Sequence, residues 1–179
     1  MTSDHDRQLL LTLAREAIQA YVGAAPAHVA AESGVLAAAG GAFVTLHKDG
    51  DLRGCIGHIE PNEPLGTVVT RCAVAAAATD PRFPPVAAHE LPQIEIEISL
   101  LGPLETIHGP EEIEVGRHGL VVERRWQRGL LLPQVATEWR WNAETFLAQT
   151  CYKAGLPRDA WKRGAKIWRF EAEVFGEVG

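Results

Sequence analysis

A cysteine and an arginine that lie two residues apart are the pair in this sequence best suited to chemistry. They lie in the stretch Asp49-Gly50-Asp51-Leu52-Arg53-Gly54-Cys55-Ile56-Gly57. Because side chains alternate between the two faces of a strand, we expect Arg53 and Cys55 on one face, and Leu52 and Ile56 on the other. A guanidinium beside a thiol favours the thiolate, which is the nucleophilic form of cysteine. Cys55 is therefore a candidate nucleophile or redox thiol, and Arg53 a candidate activator of the thiol or anchor for an anionic substrate.

Each of these residues also has a structural interpretation. Cys55 can fill space as a small apolar side chain, since free cysteines are commonly buried. Arg53 can bind a carboxylate or a phosphate directly, or pair with an acidic residue of the chain itself. Gly54 and Gly57 carry no side chain, so another group can approach the backbone closely at both positions. We therefore treat the two glycines as candidate binding residues.

Further candidates lie in the second half of the chain. His118 stands in a turn between Arg117 and Gly119 and is the best general-base candidate among seven histidines. Histidines in turns, however, commonly serve as hydrogen-bonding residues. Gly119 is a candidate binding residue at the same turn. Gln134 and Glu138 follow the end of a predicted strand, a common position for site residues, and they share a face only if that stretch is helical.

The other two cysteines have weaker claims. Cys151 lies four residues after Leu147 on a predicted helix, which favours core packing; its functional alternative is a resolving thiol or a ligand. Cys72 falls on the buried stripe of another predicted helix. A metal site made by Cys55, His118 and Cys151 is a weaker alternative than thiol chemistry, because their spacing matches no known ligand pattern. We predict no metal site.

A hairpin is expected to hold the candidate thiol. Asp49-Gly50 favours a type I′ turn, in which both central residues need positive φ. Gly41–His47 is the predicted first strand, and the segment from Asp51 returns as the second. The later loop 80–85 contains three prolines and is predicted to be stiff, held by a pairing of Asp80 with Arg82.

The remaining elements follow from the spacing of apolar residues. The most regular alternation predicts a strand over 93–101. The other predicted elements are helices at 6–22, 27–31, 62–79 and 143–154, N-caps at Asp4 or Asp6, Asn62 and Asn142, a hairpin turn at Arg128-Gly129, and strands at 104–107, 120–123, 130–132 and 167–175. Because strands and helices are mixed without a βαβ rhythm, we predict an α+β fold with antiparallel or mixed sheets flanked by helices.

Composition excludes several classes of protein. The chain has 179 residues, 46% of them hydrophobic, which indicates a folded domain. A net charge of −6 argues against a nucleic-acid backbone as the default partner. Three widely spaced cysteines without a C-x-x-C motif suit reduced thiols better than a disulfide framework. The N-terminus does not resemble a signal peptide and no apolar run is long enough to span a membrane, so we expect a cytoplasmic protein.

Several motifs, in a fixed order, carry a resemblance to a known family. They are Leu52-Arg-Gly-Cys-Ile-Gly57, Asp80-Pro-Arg-Phe-Pro84, Gly116-x-His-Gly119, Leu132-Pro-Gln-Val135 and Cys151-x-Lys-Ala-Gly-Leu156. With these motifs the chain resembles the AMME syndrome chromosomal region protein family, known in bacteria and archaea as protein A of the AmmeMemoRadiSam system. The resemblance covers nearly the whole chain.

The resemblance implies an α+β fold over residues 1–179 with two closely packed subdomains. The larger one is built from both ends of the chain and the smaller one from the middle, with the signature at 52–57 beside the cleft between them. It also implies genomic company with a Memo-like protein and a radical S-adenosylmethionine (radical SAM) protein, which are the expected partners. No particular reaction or cofactor follows from it.

Two functions from different classes are consistent with these residues. The first is a cysteine-dependent enzyme of small-molecule or protein-modification metabolism, with Cys55, Arg53 and His118 as its catalytic residues and a small molecule or peptide as its ligand. The second is a non-catalytic binding module that serves the Memo-like and radical SAM proteins. The sequence contains no complete catalytic set that decides between them.

Overall fold

The structure, a computed structural model, describes residues 2–23 and 34–177. Its helices are Asp4–Tyr21 (α1), Leu65–Ala78 (α2), Pro133–Glu138 (α3) and Ala143–Lys153 (α4), and its strands are Gly41–Lys48 (β1), Asp51–His58 (β2), Ile94–Leu101 (β3), Glu105–Ile107 (β4), His118–Arg124 (β5), Gln127–Leu131 (β6) and Lys166–Gly176 (β7). The strand pairs β1–β2, β1–β3, β4–β7, β5–β6 and β5–β7 are all antiparallel. The predicted α+β class is confirmed. The helix predicted at 27–31 lies outside the described residues.

The chain divides into two compact units. The first consists of Met1–Leu101 with Glu173–Gly179, and the second of Gly102–Ala172. Each unit has its own cluster of buried apolar side chains. The candidate residues are divided between the units: Arg53, Gly54, Cys55 and Gly57 belong to the first, and His118, Gly119, Gln134, Glu138 and Cys151 belong to the second. The cleft expected beside residues 52–57 stays a prediction.

In the first unit, β1 lies between β2 and β3. One face of β1 carries Val44 and Leu46, which are buried in a core shared with α1, α2 and β3. The opposite face of β1 carries Thr45 and His47, as expected from strand alternation. The turn from β1 to β2 has φ of 53° at Asp49 and 84° at Gly50, which confirms the predicted type I′ geometry.

A β-bulge determines which residues of β2 lie on the Thr45 face. The Cα partners, counted from the turn, are Lys48 with Asp51, His47 with Leu52, Leu46 with Gly54, and Thr45 with Cys55. Arg53 is therefore the extra residue of the bulge. Since cross-strand partners share a face, Leu52 and Cys55 both lie on the Thr45 face. The prediction that Leu52 and Cys55 point to opposite faces is wrong, because the bulge shifts the register by one residue.

In the second unit, β7 pairs with β4 and β5, and β5 pairs with β6. The turn between β5 and β6 lies at Arg125-Trp126, since Arg124 is the Cα partner of Gln127. The prediction of a turn at Arg128-Gly129 is wrong because Gly129 lies within β6. A glycine is needed here for packing, because a Cβ at this position would collide with the backbone of Ala154 at the end of α4. Glycine permits this strand to pack against the helix.

Two of the three predicted helix caps differ from the structure. Ser3 caps α1 and forms a capping box with Asp6, so Asp6 takes part at the third helical position rather than as the cap itself. Asn62 does not cap α2, because its side-chain oxygen lies 2.9 Å from His58 Nε2 and the helix begins after Pro64. Asn142 caps α4 as predicted, accepting the Thr145 N–H at 2.8 Å. No helix in residues 2–23 or 34–177 combines the length and apolar character required for a membrane span.

Candidate functional site

Cys55 differs from the other two cysteines in its exposure. Cys72 and Cys151 are buried, whereas Cys55 is partly accessible on β2. Its sulfur lies 3.2 Å from the hydroxyl of Thr45, its cross-strand partner, and either atom can be the donor. Burial raises the pKa of Cys72 to about 11 and also raises the pKa of Cys151. Among the described cysteines, Cys55 is therefore the most accessible one in the folded protein.

Asp80 holds the backbone of Cys55 from the loop after α2. Its Oδ2 accepts a hydrogen bond from the Cys55 N–H at 3.0 Å and another from Arg82 Nη2 at 2.7 Å. Its Oδ1 accepts from Arg82 Nε at 3.0 Å. The predicted pairing of Asp80 with Arg82 is confirmed. The Asp80 residue is only 4% exposed, and hydrogen bonding by Arg82 holds the pKa of this carboxyl far below its usual range.

Arg82 is a cation whose charge interacts with that of Cys55. The pKa of Arg82 is raised, chiefly by its hydrogen bonds to Asp80 and to a smaller degree by the negative charge that Cys55 carries as a thiolate. Its side chain remains 54% exposed. A buried carboxylate thus holds two of the Arg82 guanidinium nitrogens, Nε and Nη2, while Nη1 makes no hydrogen bond to a described residue. This combination is suited to binding an anion next to the thiol.

Arg53 has a different partner. Its Nε and Nη2 donate to the two oxygens of Glu90, each at 3.1 Å. Glu90 also accepts from Lys48 Nζ at 2.9 Å and from the Ala87 N–H at 2.8 Å. Hydrogen bonding by Arg53 is the main reason that the pKa of Glu90 is lowered to about 2. Of the alternatives open for Arg53, the structure favours the pairing with an acidic residue of the chain itself.

The close approach expected at the glycines is made by the protein itself. A Cβ on Gly54 would collide with the carbonyl oxygen of Ala76 in α2, and one on Gly57 would collide with the ring of Phe43 in β1. These contacts give both glycines a packing role. Their role as ligand-binding residues stays a prediction.

A carboxylate and an imidazole share the sheet face of the thiol. Glu97 of β3 is the Cα partner of Thr45, so Cys55, Thr45 and Glu97 form one row across three strands. His47 Nε2 lies 4.0 Å from Glu97 Oε1. His47 is therefore a candidate proton acceptor that lies in the same unit, and on the same face, as Cys55.

His118 has the geometry of a turn residue. It is buried, and its Nδ1 accepts the backbone N–H of Glu114 at 2.9 Å. Burial lowers its pKa, and the charges of Arg169 and Arg117 add to this effect. With Nδ1 as the acceptor, the neutral ring carries its proton on Nε2. This arrangement favours the hydrogen-bonding interpretation of His118, and its role as a base stays a prediction.

The other candidate residues of the second unit, Gln134, Glu138, Gly119 and Cys151, each have different structural neighbours. Gln134 and Glu138 both lie on the helix α3, four residues apart, so they share one face of it. A Cβ on Gly119 would collide with the ring of Phe170. Cys151 is fully buried on α4, which favours the core-packing interpretation, and its role as a resolving thiol or ligand stays a prediction. In the part of the chain that the structure describes, no group of three His, Cys, Asp or Glu side chains is placed to hold a metal ion.

Comparison with known proteins identifies the family. The AMMECR1 family model matches residues 11–175 of this chain. The chain belongs to the AMMECR1 family. A family member from Methanothermobacter thermautotrophicus is 52% identical over 146 residues, which cover 78% of this chain and 76% of that protein. Mbar_A1807 of Methanosarcina barkeri is 41% identical, covering 99% of this chain and 93% of its own.

The fold is shared with a solved structure. The crystal structure of the uncharacterised protein PH0010 from Pyrococcus horikoshii matches with a TM-score of 0.91 and 41% identity, covering 98% of this chain and 93% of that one. The family and the α+β fold expected from the motifs are therefore both confirmed.

The sequence of this AMMECR1-family chain did not connect four residues with Cys55 that the structure places in the candidate site. They are Thr45, His47, Asp80 and Arg82. The first two could have been found only with the register of the hairpin, which the bulge changes. Asp80 and Arg82 were expected only to hold their own loop. Their sequence signal is an acidic and a basic residue in a proline-rich segment, which does not show that the loop reaches Cys55, 25 residues away.

Proposed function

We propose that the protein acts through the thiol of Cys55, as a cysteine-dependent enzyme that attacks an electrophilic centre in a negatively charged small molecule or protein segment. One observation carries this proposal. A single buried oxygen, Asp80 Oδ2, accepts hydrogen bonds from both the Cys55 N–H and the Arg82 guanidinium. The Asp80 carboxylate thereby ties the Arg82 guanidinium to the strand backbone at the residue that carries the accessible thiol.

Arg82 serves this chemistry in two ways. Its charge stabilises the thiolate over the thiol. The N–H groups that Asp80 does not use can bind a substrate carboxylate or phosphate, which holds the electrophile near the sulfur. The Thr45 hydroxyl, 3.2 Å from the sulfur, can donate a hydrogen bond to the thiolate. After His47 accepts the thiol proton, a sulfur–carbon bond forms while the leaving group departs with its bonding electrons.

Arg53 is a positioning residue in this proposal. Its bidentate pairing with Glu90 fixes the bulge that turns Cys55 toward the Thr45 face. Activation of the thiol, which the sequence assigned to Arg53, is assigned to Arg82. His47 replaces His118 as the candidate proton acceptor, because it shares the sheet face of Cys55.

The rates at which two alkylating reagents modify Cys55 test the proposal. Iodoacetate is anionic and iodoacetamide is neutral, so the ratio of their rates reports a cation beside the sulfur. Mass spectrometry gives the rate for each cysteine separately. We expect the iodoacetate-to-iodoacetamide ratio at Cys55 to fall several-fold in Arg82→Gln, because the anionic reagent loses its partner.

Arg71→Gln is the matched control, since Arg71 is similarly exposed in the same unit but pairs with Glu63. It should leave the ratio at Cys55 unchanged. If wild type and both variants give the same ratio, and Cys55 reacts only slowly with either reagent, the enzymatic proposal is wrong. The better explanation would then be an accessory module for the Memo-like and radical SAM proteins.

A further inference from the structure

The charge of this protein is divided unequally between its two units. The first unit contains six Lys and Arg against fourteen Asp and Glu, whereas the second contains eleven against nine. Within residues 124–169 the balance is ten basic to three acidic residues. The whole-chain charge of −6 therefore hides a basic segment, and the argument against an anionic polymer as partner does not apply to the second unit.

Two pieces of the second unit bring part of this charge together. The tip of the β5–β6 hairpin is Arg124, Arg125 and Trp126. Next to it lies the end of α4, because Gln127 Nε2 donates to the Gly155 carbonyl at 2.9 Å. We call the resulting surface the hairpin patch and define it as Arg124, Arg125, Trp126, Tyr152, Lys153 and Arg158.

The cations of the hairpin patch have no carboxylate partners. In the described part of the chain, Arg124, Arg125, Lys153 and Arg158 form no ion pair. The acidic residues next in sequence are already used, since Glu123 lies 3.5 Å from Arg128 and Asp159 lies 2.7 Å from Arg163. Four positive charges are thus available to an external anion.

The apolar members of the patch are exposed rings. Trp126 is 82% exposed and Tyr152 is 62% exposed. The guanidinium carbon of Arg158 lies 4.7 Å from the centre of the Tyr152 ring, so a cation flanks this ring. Arg125 holds a φ of 59°, in the left-handed region that usually takes glycine or asparagine, and presents Trp126 at the tip of the hairpin.

Rings and cations in this combination favour one class of partner. The exposed large apolar side chains of the second unit are all aromatic, while the exposed aliphatic ones, Leu9, Leu52 and Val174, belong to the first unit. A protein partner usually needs a continuous apolar interface core. Isolated rings among unpaired cations instead match the alternation of bases and phosphates in an unpaired nucleic-acid strand.

We propose that the hairpin patch binds single-stranded nucleic acid. Trp126 and Tyr152 stack on bases, and the four cations contact phosphates. This binding is independent of the chemistry proposed for Cys55, which belongs to the other unit. It has the character of sequence-tolerant binding, because stacking uses the face that every base shares.

Fluorescence anisotropy with a labelled single-stranded oligonucleotide of about 12 nucleotides tests the proposal. We expect Trp126→Ala to weaken binding about tenfold, since one stacked base is lost. Trp126→Phe should retain most of the affinity. Arg124→Ala combined with Arg125→Ala should reduce the slope of log K against log salt by about 1.4, at roughly 0.7 for each phosphate on a single strand.

Trp139→Ala is the matched control. Trp139 is also exposed in the second unit, but it precedes α4 and stacks on Trp141. It lies at the opposite end of that helix from Tyr152, so its removal should leave affinity unchanged. Circular dichroism establishes that each variant keeps the wild-type fold.

Three results would overturn the proposal. They are the absence of binding at low salt, equal binding of wild type and Trp126→Ala, and equal binding of single-stranded and duplex DNA, which has no free bases to stack. Competition by a poly-glutamate peptide as effective as that by an unlabelled oligonucleotide would also overturn it. That outcome would assign the patch to an acidic protein segment.

Discussion

Asp80 connects residues that are far apart in the sequence. Its side chain accepts hydrogen bonds from the backbone N–H of Cys55 and from the guanidinium of Arg82, and it is almost fully buried. A buried carboxylate that receives several hydrogen bonds is strongly held in its ionised form. The position of the Arg82 guanidinium near the backbone of Cys55 therefore depends on this single charged group.

Replacing Asp80 by asparagine tests that dependence. Asp80→Asn keeps the size of the side chain but removes the charge and one acceptor oxygen, so the bonds to Arg82 weaken. We expect the free energy of unfolding to fall by about 1.5–3 kcal/mol, the range for hydrogen bonds to charged groups. Urea denaturation measures it. Asp51→Asn, at an exposed position of β2, should change stability little, and equal effects of the two variants would contradict the assigned role.

Glu90 provides a second prediction at this scale, with a defined pH dependence. Its pKa is about 2 in the folded protein against an ordinary value of 4.5, chiefly because Arg53 donates to it. Ionised Glu90 therefore stabilises the fold above pH 4.5, and this stabilisation is lost as the pH falls towards 2. We expect Glu90→Gln to lower the unfolding free energy by roughly 2–3 kcal/mol at neutral pH and by much less near pH 2.

Unfolding by urea at the two pH values measures this difference. Glu95→Gln, at an exposed position on β3, serves as the control and should have little effect at either pH. A loss of stability in Glu90→Gln that stays the same from neutral pH to pH 2 would show that Glu90 is not held as an ion by Arg53.

At the scale of secondary-structure elements, β2 is held against α2 by a close backbone approach. Gly54 lies directly beneath the carbonyl oxygen of Ala76, with no room for a Cβ between them. Cys55 follows immediately on the same strand. The depth at which β2 packs against the helix therefore also determines where the thiol lies relative to Asp80.

Gly54→Ala should separate the two elements. The added Cβ meets a backbone atom that cannot turn away, so the strand or the helix must shift, and we expect a loss of about 2–3 kcal/mol. Thermal unfolding followed by circular dichroism measures the loss. Gly176→Ala is the control because a Cβ there makes only ordinary contacts. A Gly54→Ala protein as stable as Gly176→Ala would contradict the packing.

The elements that the sequence predicts well are those defined by neighbouring residues. The Asp49-Gly50 turn, the Asn142 cap of α4 and the alternating strand β3 all depend on short-range signals. The bulge at Arg53 does not, because its side chain pairs with Glu90, 37 residues away. The sequence therefore points to the segment around Cys55, but it does not show that Arg53 pairs with Glu90 or that Asp80 bonds both Cys55 and Arg82.

At the scale of the whole molecule, each unit contains one buried cysteine in its core. Cys72 lies in the core of the first unit and Cys151 in that of the second. Both thiols have raised pKa values because they are removed from water. Each can therefore report on the integrity of its own unit, while Cys55 reports on the candidate site.

We expect Cys72 and Cys151 to react with iodoacetamide at least about a hundredfold more slowly than Cys55 in the native protein. Buried thiols react only through opening of the surrounding structure, and a pKa of about 11 for Cys72 leaves very little thiolate at neutral pH. Mass spectrometry after timed labelling measures all three rates in one sample. Labelling of either buried cysteine as fast as Cys55, without denaturant, would contradict the two assigned cores.

The most direct test of the activated thiol is the pH dependence of Cys55 alkylation by iodoacetamide in wild type, Arg82→Gln and Arg71→Gln. With Arg82 beside the sulfur, the midpoint of the wild-type rate profile should lie below about pH 8.5, the value for a free thiol. It should move upward by about one pH unit in Arg82→Gln, and Arg71→Gln should match wild type. A wild-type midpoint at or above that of a free thiol, unchanged by Arg82→Gln, would show that Arg82 does not activate Cys55.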